Sequence, residues 1–187
     1  MIDDLMARLR GEYYRMKFKL TTGGRVQIGR NFKAYAPIDI GGTGRITLGD
    51  DVTVRRDAFG NREVSLQTMY TPDAAIEIGS GVTLSGTHIS AGKRVAVEAG
   101  AWVEDARIMD SDFHEVSAEK RHSDSVADAR DVVIGEGAQI GSGVMLLKGA
   151  TIGKRAVVRP GSVVMRPTQA GVTLSGFPAR PEAPDKG

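Results

Sequence analysis

The sequence contains no cysteine. That excludes disulfides, thiolate metal sites and any cysteine-borne acyl-enzyme, and it fits a reducing compartment. No apolar run approaches the ~20 residues needed to cross a membrane. The opening MIDDLMARLR places two acids where a secretory signal carries bases, so a soluble cytoplasmic protein without stable membrane insertion is expected. Aromatic residues are scarce at 5%, and 25 basic residues nearly cancel 23 acidic ones. The bases are scattered and not interleaved with aromatics, which argues against a nucleic-acid surface.

What the chain has in excess is glycine, 24 of 187 residues. A helical bundle does not use that much, and no collagen period accompanies it. Residues 132–164, VVIGEGAQIGSGVMLLKGATIGKRAVVRPGSVV, supply the reason. Stepping by six from Ile134 meets Ile140, Leu146, Ile152, Val158 and Val164, all branched aliphatics. At 41% hydrophobic composition, six such hits in a row arise about once in two hundred registers. Four residues after successive anchors stand Ala138, Val144, Ala150, Ala156 and Ser162, and glycine follows three anchors directly at Gly135, Gly141 and Gly153. Neither a helix nor an alternating strand has period six. Three short strands closing a triangular coil do, with aliphatics filling the prism, small residues at the corners and glycine supplying backbone angles that side chains forbid.

The expected fold is therefore an all-β solenoid, a left-handed parallel β-helix of hexapeptide repeats. Weaker coils precede the clean block: Ile28 with Phe32, Ile40 with Ile46, Leu48 with Val54 and Ala58, and Ile78 with Val82 and Leu84. Between residues 95 and 108 one position is missing, which predicts a short corner near residues 104–106. Two polar segments interrupt the pattern, each with room for short strands. Residues 59–75, containing Pro72, read as an excursion, and residues 110–131 read as a protruding loop. A loop of that length inside a compact solenoid points to function. Ile2, Leu5, Met6, Leu9, Tyr13 and Met16 share one helical face, so residues 1–20 are expected to form a helix capping the open prism. Its alternative is a helix on a membrane surface. The division is then helix 1–20, β-helix 21–176 and tail 177–187, with the stretch after Pro178 disordered.

The pieces VIGEGAQIGSGV, LLKGATIG, AVVRPGSVV and LSGFPARP make residues 132–181 resemble the hexapeptide-repeat acyltransferases, in particular the sugar and serine acetyltransferase-like group. LSGTHIS and IMDSDFH resemble the middle of acetyltransferases that modify nucleotide sugars, capsule or lipopolysaccharide. The resemblance covers residues 76–181. Gln139 stands where relatives usually carry tryptophan, Phe177 where they carry asparagine, and Pro160 where a small residue is common. The resemblance implies acetyl-CoA as co-substrate and a homotrimer binding it between adjacent prisms. It further implies a sugar or nucleotide-sugar acceptor. By the same resemblance, the pantetheine arm runs near Gly141, Ser142, Pro160, Gly161 and Met165, with Arg166 and Arg180 meeting the phosphates through their guanidinium forks. Lys148 and Lys154 read as solvated corner residues. Ser85, Asp110 and Trp102 fall in or near coils resembling acceptor pockets.

Moving an acetyl group from a thioester to a hydroxyl requires a base for the acceptor's proton. His114, in DSDFHEV, has an unperturbed pKa of about 6.5 and stands among carboxylates that can fix its tautomer, Asp112 or Glu115. It is the expected catalytic residue, with Asp112 as its orienter. His122 reads as a surface residue and His88 as a corner residue. A zinc site of the γ-carbonic-anhydrase kind would need His88, His114 and His122 to converge. That class pairs two histidines at a spacing of five, so no metal is expected. Two other readings stay open. One is serine O-acetylation, whose enzymes usually carry a large helical N-terminal domain that residues 1–20 do not supply. The other is a β-helix used only as an assembly surface.

Overall fold

A two- or three-residue strand cannot bury its apolar side chain alone, so these strands are stable only when stacked. The computed structural model describes residues 2–57, 63–69, 71–112 and 128–183. Helix α1 (Ile2–Thr21) comes first. The first coil is β1 (Val26–Ile28), β2 (Lys33–Ala34) and β3 (Ile38–Gly42), and the second is β4 (Arg45–Leu48), β5 (Thr53–Arg55) and β6 (Val64–Thr68). The third is β7 (Ala75–Ile78), β8 (Thr83–Ser85) and β9 (His88–Ala91), and the fourth β10 (Arg94–Val97), β11 (Trp102–Glu104) and β12 (Arg107–Met109). The fifth is β13 (Val132–Ile134), β14 (Gln139–Ile140) and β15 (Met145–Leu146), and the sixth β16 (Thr151–Ile152), β17 (Val157–Val158) and β18 (Val163–Val164). A closing hairpin of β19 (Thr173–Gly176) and β20 (Ala179–Pro181) follows.

Every third strand stacks in parallel, giving three sheets: β1-β4-β7-β10-β13-β16, then β2-β5-β8-β11-β14-β17 continued by β19 and β20, then β3-β6-β9-β12-β15-β18. The six-step anchors line up one coil apart, Ile134 beside Ile152, Ile140 beside Val158 and Leu146 beside Val164. All six are buried, as are Ala138, Val144, Ala150, Ala156 and Ser162 at the corners. Of the earlier pairs, Phe32, Ile40, Ile46, Val54, Val82 and Leu84 are buried in the same core, whereas Ala58 lies outside the described residues. The short corner expected at residues 104–106 is where Asp105 takes φ 43°.

Glycine serves two distinct purposes here. Gly135, Gly141 and Gly153, directly after the anchors, leave room for the next coil: a Cβ on Gly135 would sit 2.7 Å from the Lys154 nitrogen. The left-handed angles fall two residues later, at Gly137, Gly143, Gly149, Arg155 and Gly161. The angle-supplying role expected of the first set belongs to the second, a further six-step position.

Residues 59–75 are not one excursion. β6 is a full member of the third sheet, with Val64, Leu66 and Thr68 turned inward. The alternation VSLQT hides its strand because Ser65 and Gln67 face out. The tail is likewise ordered through Pro181, where β20 pairs antiparallel with β19. It covers the last sheet edge, and Arg159 Nε donates to Glu182 at 2.6 Å. That guanidinium holds the Glu182 carboxyl below the usual carboxylate range.

Helix α1 packs on the first coil by the face opposite to the one expected. Ala7, Gly11 and Phe18 are buried against β1 and β2, while Ile2, Leu5, Met6, Leu9, Tyr13 and Met16 point outward. Small residues let the helix axis come close to the strands, and Phe18 joins the prism core. Asp4 pins the helix by accepting from Tyr35 Oη at 2.6 Å, Lys33 Nζ at 3.0 Å and Arg8 Nε at 2.8 Å. The Tyr35 hydroxyl first, then Lys33 and Arg8, hold its carboxyl far below the ordinary range. A Cβ on Gly11 would overlap the Phe32 carbonyl oxygen. Glycine-to-alanine in an exposed helix stabilises by about 1 kcal/mol. Gly11→Ala should instead lower the melting temperature, and a rise in a thermal melt would show that the helix does not sit on β2.

Candidate active site

At the corner between the third and first sheets the chain runs into the segment that holds the expected catalytic histidine. β12 ends there, residues 113–127 lie outside the described residues, and the chain resumes at Asp128. His114 and His122 fall in that span. On either side of it the structure is well tied. Lys148, expected to be merely solvated, donates from Nζ to Asp112 and, at 3.0 Å, to Asp128. One ammonium thus bridges the residues before and after the loop. The two carboxylates, Asp112 foremost, hold the lysine above its ordinary range, and Lys148 in turn holds Asp128 below its own. Lys154 makes only an exposed pair with Glu136.

A groove of about 450 Å³ opens at this corner, lined by Met109, Asp112, Arg130, Leu147, Lys148 and Met165. Met165 also borders a second groove of about 430 Å³, with Arg166, Gln169, Pro178 and Arg180. The two grooves share Met165 as a wall, one beside Asp112 and Lys148 and the other beside the C-terminal hairpin. Apolar side chains and two cations line the first, and two arginines the second. Met109, Arg130 and Leu147 are not singled out by the sequence, and Lys148 reads there only as a solvated corner residue. A countable signal existed: Asp110, Lys148 and Arg166 each stand two residues past an anchor of the third sheet, at one corner.

The other expected residues divide between two places. Trp102 is 42% exposed on the second sheet, with the Arg55 guanidinium 5.6 Å from its ring centre. It shares a groove of about 440 Å³ with Gln139, Gly141, Val157, Arg159 and Pro160. In a three-sided coil the second sheet faces away from the corner joining the third to the first. The Trp102–Gly141–Pro160 groove therefore lies across the rod from the groove at Asp112 and Lys148. Ser142 and Gly161 sit at the corner between the second and third sheets, where Ser142 Oγ donates to Asp105 at 3.1 Å.

Ser85 and Asp110, expected to face an acceptor, are turned inward. The Ser85 hydroxyl is buried and donates to the Arg56 carbonyl at 2.9 Å. Asp110 is fully buried, its two carboxylate oxygens accepting from the Gly92 and Lys93 N–H groups at 2.7 Å each. Both are corner-locking residues, since side chains this deeply buried and already bonded to backbone groups present no atom to a ligand. His88 is half-buried on β9 beside Ser65 and Arg107. Among the described residues no cluster of three or more His, Cys, Asp or Glu could hold a metal ion. No helix among them is long and apolar enough to cross a membrane.

Residues 131–166 match the family described as bacterial transferase hexapeptide (six repeats). No curated protein matches the sequence. Among solved structures, the chain is similar to the N-acyltransferase AntD from Bacillus cereus in complex with dTDP and 3-hydroxybutyryl-CoA. The identity is 16%, with 82% of this chain and 80% of that one covered and a TM-score of 0.66. It is also similar to the hexapeptide-repeat containing acetyltransferase VCA0836 from Vibrio cholerae, at 15% identity over 97% and 92% of the two chains with a TM-score of 0.57. A galactoside acetyltransferase in complex with coenzyme A matches at 18% identity over 95% and 80%, with a TM-score of 0.52. At these identities the likeness is one of fold. The six-step spacing, the three stacked sheets and these matches agree on the fold: this chain is a left-handed parallel β-helix, and its residues 131–166 are hexapeptide repeats.

Proposed function

We propose that the protein transfers an acyl group, acetyl in the simplest case, from coenzyme A to a hydroxyl of a sugar or nucleotide sugar. The observation that carries this reading is the pair of grooves that meet at Met165, the corner groove on one side and the groove with Arg166 and Arg180 on the other. A thioester arm needs an apolar slot near the base and cations near the phosphates, and these two grooves offer them in that order. The solved structures of like fold include acyltransferases with coenzyme A or an acyl-CoA bound, which agrees with that donor.

In the proposed reaction His114 takes the acceptor's proton as its oxygen attacks the thioester carbonyl. The imidazolium then returns a proton to the departing thiolate. Asp112, already engaged by Lys148, is the nearby carboxylate proposed to orient the imidazole. Lys148 and Arg130 add positive charge where the oxyanion develops. Transfer is direct, with no residue acylated. Trp102, Gly141 and Pro160 lie across the rod from the groove at Asp112 and Lys148, so one chain does not bring them to it. We read them as the wall that a second rod presents to the first, which makes the working unit a closed assembly of rods, a trimer by family resemblance.

Acetyl-CoA at a hundred times its dissociation constant should stabilise the folded protein by about 2.7 kcal/mol. In a chain of this length that appears as a rise of roughly 5–10 °C in Tm. Thiol release from acetyl-CoA against a panel of sugars and nucleotide sugars then identifies the acceptor. Absence of both a thermal shift at millimolar acetyl-CoA and thiol release would reject the enzyme reading and leave a β-helix acting as an assembly surface.

A further inference from the structure

Seven of the ten exposed large apolar side chains among the described residues lie on α1. Ile2, Leu5, Met6, Leu9, Tyr13, Met16 and Leu20 are each between 50% and 80% exposed. The helix has already met its structural need on the other side, where Ala7, Gly11 and Phe18 are buried on the first coil. An apolar stripe left over after capping marks an interaction surface. Its spacing says which kind. Ile2, Met6, Leu9, Tyr13, Met16 and Leu20 follow one another by 4, 3, 4, 3 and 4 residues. That is the narrow seam of a helix that pairs with another helix at 3.5 residues per turn. In the same frame Asp4, Gly11 and Phe18 are seven residues apart and turn toward the prism. The frame thus separates the two faces cleanly.

We propose that this seam docks on the α1 seam of a second copy of the chain, the two helices parallel and the two rods joined end to end. Charge decides both partner and direction. In this frame Leu5, Glu12 and Lys19 flank the seam on one side, and Asp3, Arg10 and Lys17 on the other. A parallel pair sets Glu12 of each copy beside Lys17 of its partner, twice by symmetry. An antiparallel pair sets Glu12 against Glu12 and Arg10 against Arg10. Glu12 is drawn to Arg15 within its own helix at 3.2 Å, an exposed pair that is easily exchanged. Arg10 keeps its hydrogen bond to the Ala34 carbonyl, so docking leaves the cap undisturbed. The joint is at the N-terminal end of the rod, distinct from the side-by-side assembly proposed above, and it does not depend on any catalytic role.

The absence of cysteine makes the test clean. Leu9→Cys and Met16→Cys each place a single thiol on the seam, and a parallel pair brings each thiol to its own counterpart. Mild oxidation should convert most of either variant to a disulfide-linked dimer, and leave Arg8→Cys, off the seam, unlinked. Light scattering should show the parent at twice the mass of a Leu9→Glu, Met16→Glu variant with an unchanged melting temperature. Glu12→Lys or Lys17→Glu alone should weaken association at least tenfold, and the two together should restore it. The thiol readout stands even if the glutamate variant fails to fold. Cross-linking of Arg8→Cys as readily as Leu9→Cys overturns the seam. So does equal mass for parent and glutamate variant. Sedimentation of an uncross-linkable protein with vesicles of phosphatidylglycerol gives the face to lipid instead.

Discussion

Replacing His114 by alanine should lower acyl transfer by roughly a hundred- to ten-thousandfold, the contribution of a positioned general base. The acetyl-CoA thermal shift should persist, because in the proposed reading donor binding draws on the grooves at Met165, Arg166 and Arg180 and not on the imidazole. The pH profile adds a second readout. With the base intact, the rate should fall as pH drops through the histidine range, about 6.5, since protonation removes the lone pair. The residual rate of the alanine variant should lose that inflection. His122→Ala provides the control, with activity near that of the parent. An alanine variant that retains a tenth or more of the parent rate, with the inflection in place, would remove His114 from the chemistry. It would leave the donor grooves standing.

Asp110→Ala should cost about 2–4 kcal/mol of stability, because it strands two backbone donors that a buried carboxylate now satisfies. The Gly92 and Lys93 N–H groups both donate to it at 2.7 Å, and the Asp110 carbonyl also accepts from Arg130 N at 2.8 Å. One residue therefore locks the preceding coil's corner to the point where the chain returns from the loop. The expected loss in Tm is roughly 5–15 °C, read by thermal melt. Asp110→Asn keeps the shape but turns an amide N–H₂ toward a donor, so it should fall between the parent and the alanine variant. A melt within 1–2 °C of the parent for Asp110→Ala, well under the loss expected above, would show that solvent satisfies those donors. The loop base would then owe its order to Lys148.

Much of the fold was legible in residues 132–164. There the anchors stand six apart, and coils of eighteen residues put like residues side by side, as in Ile134 beside Ile152. Legibility fell where coils depart from that length. Val97 pairs with Ile134, thirty-seven residues on, because the loop intervenes. β6 was hidden because two of its outward residues are polar. Of the proposed site, the residues of DSDFH stand out in the sequence by type; Asp112 among them lines a corner groove, whereas His114 lies outside the described residues. Ser85 and Asp110 were misread because polar residues near a motif look like ligands. Only packing reveals that their oxygens already serve backbone groups.

The sequence by itself determined the rod, its repeat and its three-sided section, because each depends on side chains six positions apart meeting the same local requirement. It also determined that no cysteine side chain of this sequence takes part. The tertiary structure decided which side of α1 faces the prism, where the carboxylate of Asp110 is spent, and that Trp102 lies across the rod from the groove at Asp112 and Lys148. These outcomes rest on contacts between residues far apart in the chain, Asp4 with Tyr35 at thirty-one positions and Lys148 with Asp112 at thirty-six. A stripe of apolar residues has the same pattern whether it faces a core or a partner. Its direction is set by which face lets the backbones come closer, and here Ala7 and Gly11 do.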